Sequence, residues 1–335
     1  MTYNPVYFQG DIAQEIHSAV LEANRTAERK LLRVEDNIKF ERVLTSISGG
    51  VKWQAYKEKI READLDALTA GNDWKFGDRK LTPKKIMALD NVTMDQLRKT
   101  RFSRDMAAGA NNLGSTEFEQ SATAYLIPRM GKSYEQLQYG AITAATKAQI
   151  AASATPTAPE KAWAAAQESR EFDGIIASAI LAGVEDPANK TKVIVGTTLT
   201  SGNAVAEYSK IYAAIDPAEL EAGMVYIYAP LSDLQILTQA NTDSEFKDKF
   251  TITGRGKDAT VLYNNVPVEF VPTGTVRLAG YGGETGDFVF GTDLLSDTTE
   301  FKIDKVNAMS DDLFFKMVAT GCGTVLNASK KVLYI

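Results

Sequence analysis

The sequence predicts an α+β fold, elongated or flat rather than spherical, on three observations. Apolar residues recur at helical spacing over one very long stretch, from Thr116 to about Ser153. A strongly charged segment with little core-type content precedes that stretch, and short helices and strands interleave after it. A continuous helix over the long stripe would measure roughly 55 Å, close to the whole diameter of a compact globule of this chain length. With 335 residues, 44% apolar and 24% charged, the chain is long enough to bury a substantial core.

From Asp11 to about Leu44 the residues Ile12, Ile16, Ala19, Val20, Ala23, Ala27, Leu31, Val34, Ile38 and Val43 step mostly by three and four. That spacing predicts one long amphipathic helix, or two, stopped by Ser48-Gly49-Gly50. Val51 to Tyr56 alternates, and Trp74-Lys75-Phe76-Gly77-Asp78-Arg79-Lys80-Leu81-Thr82-Pro83 reads as a turn beside a second extended run. The span 51–90 is rich in charge and cannot bury much of itself, so it is expected to protrude as a two-stranded loop.

Helical spacing restarts at Val92-Thr93-Met94-Asp95-Gln96-Leu97, and Gly114-Ser115-Thr116 offers a cap for the long helix. Its stripe is Phe118, Ala122, Tyr125, Leu126, Met130, Tyr134, Leu137, Ala141, Ala145 and Ala148, with kinks expected at Pro128 and Gly131. Thr155-Pro156-Thr157-Ala158-Pro159 ends it and begins a linker; Trp163 to Arg170 is a short helical piece and Phe172 to Ile180 an apolar element. Strands are expected at 192–195, 224–228, 260–263, 266–271, 287–290, 301–306, 313–318 and 332–335, with helices at 204–215 and 232–240.

Charge and residue usage exclude several functions. A formal net charge of -6 provides no overall basic field to draw the protein onto nucleic acid or an anionic membrane. One cysteine and one histidine cannot build a Cys/His metal cluster, and a histidine-dependent triad has only His17 to use. The first ten residues lack a basic and an apolar signal region, and no long apolar run occurs, so a soluble, intracellularly made protein is expected. Gly254-Arg255-Gly256-Lys257 fails as a phosphate loop because Thr251 and Asp258 stand where the motif needs glycine and Ser or Thr. Gly280 to Gly286 fails the dinucleotide spacing at Thr285. Asp293 with Asp297, and Asp311 with Asp312, show no liganding spacing and read as turn residues. Cys322, in Thr320-Gly321-Cys322-Gly323-Thr324, reads as a small packed side chain.

The order of helical arm, charged loop, long helix and mixed α/β region resembles the major capsid proteins of tailed bacteriophages, the Hong Kong 97 type. Lys80-Leu81-Thr82-Pro83-Lys84-Lys85-Ile86 through Leu97 looks like the returning loop strand that leads into the spine helix. Val225-Tyr226-Ile227-Tyr228-Ala229-Pro230, Tyr263 to Val268 and Gly286 to Gly291 look like axial-domain elements, and Phe314-Phe315-Lys316-Met317 with Lys331-Val332-Leu333-Tyr334 like the last strands.

The resemblance implies a map: an N-terminal arm over 1–48, an extended β-hairpin loop over 49–91, the spine helix and first part of the peripheral domain over 92–171. The axial domain follows over 172–298, then the return strands of the peripheral domain and a C-terminal strand over 299–335. It further implies a structural protein without catalysis or cofactor, which joins itself in pentamers and hexamers around double-stranded DNA without reading its sequence. Scaffold, portal and accessory head proteins are the other implied partners, with no membrane. Its place would be the virion capsid, assembled in the bacterial host cytoplasm. Trp53, Tyr56, Trp74, Lys75, Phe76 and Arg79 of the loop are then candidate subunit-interface residues, with Trp74 and Phe76 as anchors. An encapsulin-like shell around protein cargo shares the fold and is the alternative. Lys75 and Lys80 lie where some relatives crosslink a loop lysine to a neighbour's asparagine, but nothing identifies such an asparagine, so that chemistry is not carried over.

Overall fold

The computed structural model describes residues 6–8, 24–48, 56, 58–59, 75–92, 116–242, 250–254, 259–293, 301–305 and 313–335. After strand β1 (Val6–Phe8), a single helical turn α1 (Arg25–Glu28) is capped by Asn24, whose side chain accepts from Thr26 and Ala27. Lys30 then takes a left-handed conformation, φ 53°, and the chain becomes extended in β2 (Arg33–Glu35) and β3 (Arg42–Ser48). The helix expected over 11–44 is therefore wrong from Lys30 onward; residues 11–23 lie outside the described residues. Leu31, Val34 and Ile38 fit a three- and four-residue step, but Val43-Leu44-Thr45-Ser46-Ile47 is an alternating, β-branched run, and tertiary pairing decides in favour of strand.

Strands β4 (Lys75–Leu81) and β5 (Lys84–Val92) follow, then α2 (Thr116–Gly140), α3 (Ala144–Ala152), α4 (Ala158–Ala166) and α5 (Ile175–Glu185). The long helix thus passes Pro128 without ending and stops at Gly140 instead, about 37 Å from its start. The stop is tertiary. Thr143 caps α3, its own N–H donates to Asp173 at 2.7 Å, and the Thr146 hydroxyl donates to the same carboxylate at 2.7 Å. Apolar spacing carries no trace of a partner so far along the chain. Helix α4 also begins before the expected Trp163, with Thr157 and Glu160 forming a capping box and Pro159 in its first turn.

The remaining elements are β6 (Lys192–Ile194), α6 (Ala204–Ala214), α7 (Pro217–Ala222), β7 (Val225–Ala229), α8 (Leu231–Thr242), β8 (Phe250–Thr253), β9 (Thr260–Tyr263) and β10 (Val266–Phe270). They continue as β11 (Arg277–Tyr281), β12 (Phe288–Gly291), β13 (Phe301–Lys305), β14 (Leu313–Val325) and β15 (Val332–Tyr334). Strands β8 and β11 and helix α7 are additions to the expected set.

Two large sheets organise these strands. One runs β6-β15-β11-β7-β10-β9-β8, so the C-terminal strand lies inside it, parallel to β6 and antiparallel to β11. The other runs β1-β13-β14-β12-β2, with β5 also paired to β14 from Leu313↔Val92 to Gly321↔Lys84. Strands β7, β10, β11 and β15 of the first sheet are buried on both faces. Tyr228, Leu278 and Leu333 face one core, built with α5, while Ile227, Ala279, Val332 and Tyr334 face a second core under α6 and α8. Helix α5, Ile-Ile-Ala-Ser-Ala-Ile-Leu-Ala-Gly, is apolar on nearly every side because it is buried on nearly every side. Its one hydroxyl, on Ser178, donates to the Gly323 carbonyl. A Cβ at Gly323 would sit 2.8 Å from the Gly174 backbone, so this glycine sets how closely β14 approaches the start of α5.

Candidate subunit interface

Strand β4, expected as the second strand of the loop, pairs with β3, which the sequence map placed in the N-terminal arm, in an antiparallel ribbon registered from Arg42↔Leu81 to Ser48↔Lys75. The expected first strand, 51–56, lies outside the described residues but for Tyr56. The ribbon's inner row contains Leu44, Arg79 and Leu81. Leu81 is 0% exposed and joins Ile38, Leu44, Val289, Cys322 and Leu326 in a small core of its own, so the base of the ribbon is part of the chain's own folded interior. Arg79 is turned the same way and pairs with Glu185 at the end of α5. The outer row pairs Val43 with Lys80 and Thr45 with Asp78, and farther along the ribbon Ile47 stands in register with Phe76. Val43 is half exposed, the Thr45 hydroxyl donates to Asp78 at 2.7 Å, and Lys80 pairs with Glu41 at 3.0 Å. Gly77 leaves room for the Ser46 hydroxyl, which would come within 2.9 Å of a Cβ placed there.

Beside the ribbon, β5 is exposed along most of its length, with Met87 at 56% and Leu89 at 60%. Among the described residues β5 pairs only with β14, which leaves its other edge without a strand. An open groove of about 710 Å3 runs between β5 and α2, lined by Met87, Leu89, Tyr125, Leu126, Met130 and Met317. Arg129 lies over the Tyr125 ring at 3.9 Å. A smaller, more polar hollow of about 490 Å3 separates the ribbon base from α5, with Asp78, Lys80, Lys84, Asp173 and Glu185 around it.

The candidates from sequence divide accordingly. Tyr56 is 90% exposed, Lys75 and Phe76 lie in β4, and Arg79 is held inward by Glu185. Trp53, Trp74, His17, Asp297, Asp311 and Asp312 lie outside the described residues. Asp293 is buried; its N–H donates to the Thr320 hydroxyl at 2.7 Å, and its Oδ1 has no hydrogen-bond partner among the described residues. Cys322 is a buried free thiol near the Gly291 carbonyl, and burial pushes its pKa up to about 12. Gly254 follows β8 in a left-handed conformation, φ 83°, while Gly280 and Tyr281 are the last residues of β11 and Gly282 to Gly286 lead on to β12. Among the described residues no group of three His, Cys, Asp or Glu side chains is placed to hold a metal ion. No described helix is long and apolar enough to cross a membrane.

Sequence reasoning missed three buried polar clusters. Lys331, 0% exposed, contacts Glu219 of α7 and Asp287. Arg277 forks onto Asp233, which also accepts from Tyr208 at 2.9 Å. Glu135 of α2 grips Thr26. Each pair is distant in sequence, and one lysine in Lys330-Lys331 looks like the other until the chain is folded.

No protein-family model and no curated protein matches the chain. Solved structures match it along its length. A chain of the satellite phage P4 procapsid, solved with its size determination (Sid) protein, aligns over 100% of this chain and 92% of its own, at 12% identity and TM-score 0.55. The capsid of a native GTA particle aligns over 100% and 93%, at 8% identity and TM-score 0.52. The holo-SrpI encapsulin of Synechococcus elongatus PCC 7942 aligns over 92% and 86%, at 10% identity and TM-score 0.51. What these proteins share with the chain is the fold. The fold is the Hong Kong 97 type expected from the order of elements, and at such identities the likeness concerns the fold alone.

Proposed function

We propose that the protein is a major capsid protein: copies associate as pentamers and hexamers into an icosahedral shell around double-stranded DNA, with no turnover. The observation that carries this reading is the alignment of the whole chain with the P4 procapsid and GTA capsid proteins, each of them also covered almost entirely. In this reading the seven-stranded sheet with α6 and α8 is the axial domain; α5 and β12, which the sequence map placed in the axial domain over 172–298, pack with α2 and β14 and join the six-stranded sheet in the peripheral domain. The ribbon extends over a neighbouring subunit. Its outer row, with Phe76 in register beside Ile47, supplies the contact, and Arg79 fixes the ribbon to its own subunit. A subunit held weakly on several sides gains affinity through effective concentration. The scaffold, portal and accessory proteins of a phage head, and assembly in a bacterial cytoplasm, complete the reading.

Size-exclusion chromatography with light scattering, followed by negative-stain microscopy, tests it. Capsomers or closed shells are expected; a stable species at the monomer mass of 36.5 kDa in every buffer, with or without a scaffold partner, would refute it. The alignment with the SrpI encapsulin favours a second reading, a compartment around protein cargo. Nucleic acid or enzyme inside shells purified from the native source separates the two.

A further inference from the structure

One buried polar knot, independent of the shell reading, joins the N-terminal segment to the rest of the subunit. Residues 24–35 lie as a strap across α2, the seven-stranded sheet and β12. On the α2 side, Asn24 donates to Gln138 at 3.0 Å, and the Thr26 N–H and hydroxyl donate to Glu135 Oε1 at 2.9 and 2.6 Å. The Thr26 hydroxyl also meets Tyr139 at 3.1 Å. On the sheet side, Arg29 bonds Glu269 of β10 at 2.9 Å, and the Leu31 carbonyl accepts from Tyr228 at 2.6 Å. Strand β2 then pairs with β12. Glu135 is 6% exposed.

We propose that residues 24–35 form an acid-tightened clasp, whose hold on α2, and with it the attachment of α2 to the seven-stranded sheet, strengthens as pH falls. The geometry supplies the reason. A carboxylate at Glu135 gives up most of its hydration and receives in return the two Thr26 bonds and the field of Arg25. Burial is the largest influence and raises the carboxyl above its ordinary value, against the Thr26 bonds and Arg25. The other ionisable groups around the knot do not substitute for it. Tyr139 and Tyr228 are fully buried phenols pushed further up, and Glu269, which faces the strap from β10, is engaged by Arg29 and by Arg25 at 3.6 Å. Because the folded-state value is raised, the fold favours the neutral acid. Its contribution is complete below the ordinary carboxylate range and is lost as pH rises through the folded-state value.

Hydrogen exchange by mass spectrometry on the full-length protein, from about pH 3.5, below the ordinary carboxylate range, to about pH 8 and corrected for chemical exchange, tests this. Peptides covering 24–35 are compared with peptides covering β7 as an internal reference. In the wild type the relative protection of the strap should rise several-fold toward the acid end. Glu135→Gln keeps an acceptor for Thr26 but cannot ionise, so its ratio should be flat and at neutral pH at least equal to wild type. The same slope in both proteins would overturn the proposal, as would a Gln variant less protected at neutral pH. If the variant does not fold, a flat wild-type ratio overturns it alone.

Discussion

At the scale of single residues, burial decides which groups have chemistry to offer. Cys322 is the only cysteine in the chain, and with its pKa up to about 12 almost none of it is thiolate near neutrality. A thiol reagent at mildly alkaline pH should leave the native protein unlabelled and label a single site once denaturant is added; rapid labelling of the native protein would mean that the core around Leu81 opens. Lys331 tests the opposite case, a charge that is buried and used. Its stem passes Gly280, where a Cβ would come within 2.4 Å of Lys331 Cδ, and its ammonium faces Glu219 and Asp287. Lys331→Met keeps the stem and strands two carboxylates, at a cost of about 3 to 5 kcal/mol in urea unfolding. A change below about 1 kcal/mol would mean that water reaches the site.

Elements were legible where the chain's own periodicity decides them. The strands 225–229, 266–270 and 332–334 and the helix 204–214 were readable because apolar continuity or helical spacing survives in the text. Strand β11 was not, since it opens on Arg277, a charge that becomes a core residue only through Asp233. The stop at Gly140 was missed for the same reason, because Asp173 enforces it from a distance. The ribbon was half legible: its charge and its second strand were plain, but its first strand was concealed in an apparent helix, and its base proves to be core. That correction reshapes the deletion that separates folding from assembly. Joining Thr45 to Asp78 by a short Gly/Ser turn retains Leu44, Arg79 and Leu81, so circular dichroism and the unfolding midpoint should stay close to wild type, at a small closure cost. Shells should be lost in electron microscopy. Carrying the deletion through Leu81 should cost a further 2 to 5 kcal/mol or so, the usual range for emptying a buried leucine site. Normal shells from the shorter deletion would show that the ribbon is not the strap between subunits.

At the scale of the whole molecule, a short strand joins the edge of the seven-stranded sheet to its interior. Strand β15 lies between β6 and β11, and its residues Val332, Leu333 and Tyr334 are each no more than 2% exposed, facing two different cores in alternation. The Tyr334 ring also fills the space beside Gly196, receives Arg277 at 5.1 Å, and directs its hydroxyl to Glu207 at 3.0 Å. Losing this strand would split β6 from the other strands of the sheet and expose the edges of β6 and β11 that face it. Truncation after Lys331 should therefore fail at folding, before assembly is at issue: low solubility, a lost cooperative transition and early hydrogen exchange in β6, β7 and β11. The ribbon deletion should give the reverse, a soluble and cooperative subunit that forms no shell. The contrast places the fold's closure in its last strand and the proposed contacts between copies in its outermost ribbon. A soluble, cooperative protein lacking residues 332–335 would show instead that the seven-stranded sheet does not need its interior strand, and that folding and assembly are not divided along these lines.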